Sequence, residues 1–274
     1  MISLQGVSKR FDRVDALAGI DWEIQGGEWW GIIGPNGSGK STLLQMLSGV
    51  EAPTAGKVTI HGRDVRDYGR KELARTLAVL QQEGLGPTDF TVREVLEMGR
   101  YPFQNWFGRE PSDAGPLLDS IMERLELKSL EYRRLDQLSG GQRQRAALGK
   151  VMAQEPSILL LDEPTTYLDI RYQLQFMDMV ADWRRDTGIT VISVLHDLNL
   201  AAQFCDRLLV LHEGRMAGKG SPEDMLTENN IRRIFRVDTS VVAHPANGSP
   251  QVLLTAGAGK SEEGREEAYA GAEQ

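Results

Sequence analysis

Four short stretches carry residue types at spacings that could do chemistry. Gly34-Pro35-Asn36-Gly37-Ser38-Gly39-Lys40-Ser41, followed by Thr42, has the spacing G-x-x-x-x-G-K-[ST]. Glycines let such a loop curl so that its N–H groups converge on phosphate oxygens. The lysine reaches the β- and γ-phosphates, and the hydroxyl of Ser41 can hold Mg²⁺. Asp162-Glu163 ends an apolar run. A carboxylate there can hold Mg²⁺ through water (Asp162), and its neighbour can polarise an attacking water (Glu163). His196 closes the next apolar run and should surface at the same edge, as a sensor of the γ-phosphate. Leu138-Ser139-Gly140-Gly141-Gln142 precedes a helical stretch, Arg143 to Met152. Ser139 and the two glycines then form a second helix N-terminus with exposed N–H groups, a second anion site. One chain needs only one such cradle, so the second is expected to serve the nucleotide of another copy.

The surrounding pattern implies elements that position these groups. Trp29-Trp30-Gly31-Ile32-Ile33 reads as a buried strand feeding the glycine loop. Leu43, Leu44, Leu47 and Val50 follow at helical spacing. Ile158–Leu161 and Ile189–Leu195 read as further buried strands. They flank a helix expected to bury Ile170, Leu174, Met177 and Ala181. Strand, helix, strand in that order implies a parallel sheet. Before Gly62 the chain reads as short strands broken by glycines, with alternation at Ile20–Ile24 and Lys57–His61. From Thr88 to Leu138 the texture is charged and helix-favouring, interrupted by the aromatic loop Tyr101–Phe107. His61, His212 and His244 read as structural or surface residues, and Trp29-Trp30 reads as core packing.

Composition narrows the classes. The 274 residues carry a net charge of −8, with 41% hydrophobic and 26% charged residues, which fits a folded globular chain. The acidic balance argues against nucleic acid as a partner. The sequence contains no apolar run long enough for a bilayer span and no secretion-signal pattern, so a cytosolic chain is expected. One cysteine, Cys205, allows neither an internal disulfide nor a zinc cluster. The Gly-, Ala- and Glu-rich stretch from about residue 256 reads as a disordered tail. Gly257-Ala258-Gly259-Lys260-Ser261 within it lacks the first glycine of a phosphate loop, Leu254 standing there, and is set aside.

With Gly34–Thr42, Leu138–Gln142 and Ile158–Pro164 together, the chain resembles the ATP-binding subunits of ABC transporters over about residues 1–240. The resemblance implies a P-loop NTPase (RecA-like) α/β core with an N-terminal antiparallel β subdomain. It also implies an inserted helical subdomain at about 86–150 and a C-terminal extension, 241–274. Two copies should pack head to tail, each ATP lying between one phosphate loop and the other chain's Ser139–Gln142. By the same resemblance, Phe11 is the adenine-stacking aromatic and Gln82 touches Mg²⁺ and links the nucleotide to the membrane partner. Asp169, in Thr165–Asp169, belongs to the loop crossing between subunits.

Thr91–Val95 with Gly99–Pro102, Leu195–Ala202, Thr165–Ile170 and Gly220–Thr227 are similar to subunits that import iron–siderophore, haem or cobalamin. Siderophore-type iron is the first expectation, with haem or cobalamin as alternatives. The implied activity is ATP hydrolysis coupled to transport, at the cytoplasmic face of the inner membrane. The implied partners are permease subunits and, indirectly, a substrate-binding protein. A soluble ABC ATPase acting on nucleic acid or ribosomes fits less well, since the chain has a single cassette, a short insertion and an acidic balance. A P-loop kinase or GTPase has no use for Leu138–Gln142.

Overall fold

In the computed structural model, residues 1–81, 85–86, 88–110, 112–166 and 168–255 are described. Gln82 and the tail from residue 256 lie outside them. The strands are β1 (Ile2–Phe11), β2 (Val14–Ile24), β3 (Trp29–Ile33), β4 (Ala55–Ile60), β5 (Arg63–Asp64) and β6 (Leu77–Leu80). They continue as β7 (Ile158–Asp162), β8 (Thr190–Val194), β9 (Arg207–His212), β10 (Arg215–Gly220), β11 (Thr239–Ala243) and β12 (Pro250–Leu254). The helices are α1 (Lys40–Leu47), α2 (Arg70–Thr76), α3 (Val92–Met98), α4 (Gly115–Arg124) and α5 (Gly140–Ala153). After them come α6 (Ile170–Thr187), α7 (Leu198–Phe204), α8 (Pro222–Met225) and α9 (Glu228–Phe235).

The central sheet runs β10-β9-β3-β8-β7-β6. Its pairings are parallel except for β10, an antiparallel edge strand. Both faces are covered, so its strands are apolar throughout rather than alternating. On one face lie Trp30, Ile32, Leu160, Ile192 and Leu209 with α1 and the second sheet, β2-β1-β4-β5. On the other lie Trp29, Ile33, Leu161, Val191 and Val210 with α3 to α7.

This two-sided burial explains Trp29-Trp30. Trp30 meets Trp22 edge to face at 5.2 Å, and its indole N–H donates to Glu28 at 2.8 Å. Trp29 faces the other way, beside Phe204, and donates to Ser193 Oγ at 2.9 Å. Adjacent residues of one strand point to opposite faces, so each indole fills a different core with its polar edge satisfied.

Several local expectations are corrected. The N-terminal strands are long, because Gly6 sits at a register shift within β1 instead of ending it. Helix α1 stops at Leu47, leaving Val50 78% exposed, while Met46 is buried in its place. Helix α6 buries Phe176, Met177, Val180 and Trp183, a face rotated from the expected one. Met177 lies on both faces, whereas Ile170 is 78% exposed and Leu174 is also exposed.

Helices α3, α4 and α5 pack as a unit on the helical side. The hairpin β11–β12 returns onto α7, where Asn199 accepts from the Val252 N–H at 2.7 Å and Val252 joins the main core.

Candidate functional site

The phosphate loop leaves β3 and turns into α1. Gly34 opens it at φ 155°, and a Cβ there would fall 2.2 Å from the carbonyl oxygen of Leu211, so a side chain cannot be accommodated. The Lys40 side chain folds back across the loop, donating to the Gly34 oxygen at 2.8 Å and the Pro35 oxygen at 3.0 Å. Only 6% of the residue is exposed. Burial holds its pKa below the ordinary lysine value, and the carboxylates of Glu163 and Asp162 pull the other way. Ser38 Oγ is buried without a hydrogen-bond partner. Ser41 is exposed in the first turn of α1 and Thr42 is half-buried beside it.

The two carboxylates stand where β7 ends. Asp162 Oδ1 is also buried without a partner. Burial, reinforced by the charge of Glu163, raises the Asp162 pKa, with Lys40 and His196 opposing. A cation could satisfy the buried Asp162 oxygen. Asp162 and the Ser41 hydroxyl are hard oxygen donors, and Mg²⁺ takes one or two protein oxygens plus phosphate and water. The residues therefore fit Mg²⁺ bound with a nucleotide.

Glu163 adopts a left-handed backbone, φ 48°, with its N–H donating to the Val194 oxygen at 3.2 Å. That strained turn lifts its side chain out of the strand direction. Glu163 Oε1 and His196 Nε2 lie 2.5 Å apart. His196 is held by the next turn, where Asp197 caps α7 by accepting from the Asn199 and Leu200 N–H groups. Lys40, Asp162, Glu163 and His196 thus converge at the C-terminal edge of the parallel strands, the place where ligands enter such sheets.

The second anion site is elsewhere. Ser139 caps α5 in a reciprocal box. Its hydroxyl accepts from the Gln142 N–H at 3.3 Å, and the Gln142 side chain accepts from the Ser139 N–H at 3.0 Å. Ser139 and Gly140 are exposed. Gly141 is not, because the Tyr172 ring lies where its Cβ would be, at 2.9 Å. No hydrogen bond or ion pair among the described residues joins this turn to the phosphate loop.

Asp169 caps α6, accepting from the Tyr172 N–H at 3.0 Å. Phe11 is 42% exposed at the end of β1, with the Lys9 ammonium 4.8 Å from its ring centre. The expectation for Gln82 concerns a residue outside those described.

The ABC transporter family model matches residues 17–166 of the chain. This chain belongs to the ABC transporter family. It is 40% identical over 231 residues to the ferric enterobactin transport ATP-binding protein FepC of Escherichia coli strain K12, covering 84% of this chain and 85% of that protein. It is 41% identical over 261 residues to the hemin import ATP-binding protein HmuV of Bradyrhizobium diazoefficiens, covering 92% and 94%. The dimeric structure of MJ0796, a bacterial ABC transporter cassette, superimposes with a TM-score of 0.70. It shares 29% identity and covers 81% of this chain and 99% of that one. The chain is an ATP-binding ABC ATPase cassette.

Sequence reasoning missed two features, one at Phe11 and one beside the phosphate loop. Lys9 sits over the Phe11 ring, anchored by Glu51 and the Ala52 oxygen. The turn His212–Glu213 and the end of α9 at Arg236 line a cleft against Pro35–Ser38. Almost 200 residues separate Arg236 from the loop, and no local pattern marks the contact.

Proposed function

We propose that this cassette hydrolyses Mg²⁺-ATP to drive import of iron–siderophore complexes through a separate permease, on the cytoplasmic face of the inner membrane. The observation that carries the reading is the split between two anion sites. One gathers lysine, carboxylates and histidine, and the other is an exposed helix start on a different element. Two chains packed head to tail put each Ser139–Gln142 on the γ-phosphate held by the other chain's loop.

In that arrangement Lys40 exchanges two backbone carbonyls for phosphate oxygens. Ser38, Ser41 and Asp162 would hold the phosphate and Mg²⁺, and the bound ion would supply neutralising charge for the phosphate chain. Glu163 takes the proton of the attacking water, and His196 fixes the carboxylate and reaches the γ-phosphate. Phe11 stacks on adenine. The γ-phosphate bonds to the partner's signature turn only while intact, so hydrolysis reopens the pair. Gln82 would relay the state of the site to the permease.

The aromatic loop supports a permease contact. Pro102 is buried, and the guanidinium groups of Arg75 and Arg100 lie 5.2 and 3.9 Å from the centre of the Phe103 ring. Beyond this anchor, Trp106 and Phe107 are almost fully exposed. Among the described residues no helix is long and apolar enough to cross a membrane.

Siderophore cargo follows the likeness to FepC, and haem is the second reading because HmuV matches a larger share of the chain. Uptake of labelled ferric siderophore, haem and cobalamin in cells lacking this chain tests both. Loss of siderophore uptake alone, restored by the parent and not by Glu163→Gln, is expected. Loss of haem or cobalamin uptake instead would overturn the cargo assignment.

A further inference from the structure

The cleft beside the phosphate loop has a chemistry that nucleotide binding does not use. It measures about 300 Å³, between Pro35–Ser38, the turn His212–Glu213 and the end of α9 at Ile234–Arg236. Half-buried Phe235 gives it an apolar wall, with Ile234 behind it in the core. Arg236 closes α9 in a left-handed conformation, φ 59°. Its guanidinium has no ion pair or hydrogen bond among the described residues, although Glu213 lines the same cleft. The two arginines before it are both engaged, Arg232 with Asp238 and Arg233 with Asn230.

A patch of opposite chemistry lies at the start of α6. Asp169 spends one carboxylate oxygen, Oδ1, on its cap and keeps the other for a further partner. Ile170 beside it is 78% exposed, an apolar residue in the position the sequence pattern would have buried. This patch is tied to α5. Tyr172 lies against Gly141, and Gln144 donates to the Pro164 oxygen at 3.0 Å. Wherever Ser139–Gln142 docks, Asp169 and Ile170 travel with it. If the signature turn reaches a partner's phosphate loop, the α6 start falls on the flank of that same loop.

We propose that in the ATP-bound dimer Asp169 and Ile170 of each chain enter this cleft on the other. Asp169 pairs with Arg236, and Ile170 covers Phe235. The inference rests on the head-to-tail reading above and deepens it. It assigns the α9–β11 junction, outside the nucleotide site, a place in the interface. Charge and apolar surface are complementary, and two-fold symmetry makes the contact twice.

Cross-linking tests it with the full chain carrying Glu163→Gln, so that ATP persists. One chain carries Ile170→Cys and another Arg236→Cys, and the two are mixed under mild oxidation with and without Mg²⁺-ATP. The sole native cysteine, Cys205, is buried, so the parent serves as blank. The expected result is a cross-linked dimer that requires both variants and ATP, since a disulfide forms only when Cα atoms approach within about 7 Å. A Ser38→Cys and Ser139→Cys pair is run beside it. Cross-linking of 38 to 139 without 170 to 236 overturns this inference and leaves the head-to-tail dimer standing. Failure of both overturns both. In addition, Arg236→Glu should weaken ATP-dependent dimerisation by on the order of tenfold while Arg236→Lys largely retains it. Equal dimerisation by Arg236→Glu and the parent would overturn the pairing.

Discussion

The phosphate loop and the signature turn are both helix starts offering N–H groups to an anion, yet they are built in opposite ways. At the phosphate loop, polar atoms are buried without partners: Ser38 Oγ and Asp162 Oδ1 have none, and Lys40 makes do with two carbonyls of its own loop. At the signature turn nothing is left wanting, because Ser139 and Gln142 satisfy each other in a cap open to solvent. Unpaired buried groups cost free energy until a ligand arrives. A self-capped turn costs nothing while it waits. The first site is therefore poised for a ligand in the single chain, and the second is stable alone and, in the function proposed above, becomes a ligand site when a partner presents a phosphate.

The sharpest way to break this contrast is at Glu163. Glu163→Gln should cut steady-state ATP turnover by about 10²–10⁴-fold and leave ATP affinity nearly intact by calorimetry. Parent-like turnover would remove Glu163 as the base. Next in size, Lys40→Ala should weaken ATP binding by roughly 10–100-fold, as expected for a lost charged hydrogen bond of about 1.5–3 kcal/mol. Unchanged affinity would mean that the lysine stays on its own loop.

Ser139→Asp addresses the other end of the comparison. Aspartate caps a helix about as well as serine, so thermal stability should hold, while its charge should repel the γ-phosphate and abolish ATP-driven dimerisation. Loss of stability together with dimerisation would leave Ser139 a purely structural cap.

Asp162 sharpens the contrast through pH. Its folded pKa is raised, so the ionised carboxylate opposes folding above its unfolded pKa, and the penalty fades as pH falls through the folded value. Nucleotide-free Asp162→Asn should melt at or above the parent at pH 7, with the gap closing as the solution is acidified. The same variant should lose the stabilisation that Mg²⁺-ATP confers. A lower melting point at pH 7 would show the carboxylate already satisfied. The smallest effect is expected at Phe11. Phe11→Ala should weaken ATP binding by about 0.5–1.5 kcal/mol, and Phe11→Tyr should leave it unchanged.

The chemistry was easier to read in the sequence than the surfaces that join chains. The phosphate loop, the carboxylates and His196 are short-range patterns at strand ends, and the sheet brings them together as their spacing implied. The two-sided core was legible in unbroken apolar runs. The reason for Trp29-Trp30 was not, because it depends on Trp22, Ser193 and Phe204 from three other elements. Helix α6 misled because Ile170 and Leu174 match the period of a core face and stay exposed, so periodicity reported apolarity without saying what covers it. The cleft at Arg236 left no sequence signal, since its walls come from segments near residues 36, 213 and 235.

The central claim is that one nucleotide site needs two chains, and sedimentation of the Glu163→Gln protein measures it most directly. The account predicts a monomer alone and a dimer with Mg²⁺-ATP, the shift disappearing when Ser139→Asp is added. A chain that binds one ATP by calorimetry and remains monomeric at every accessible concentration would contradict it.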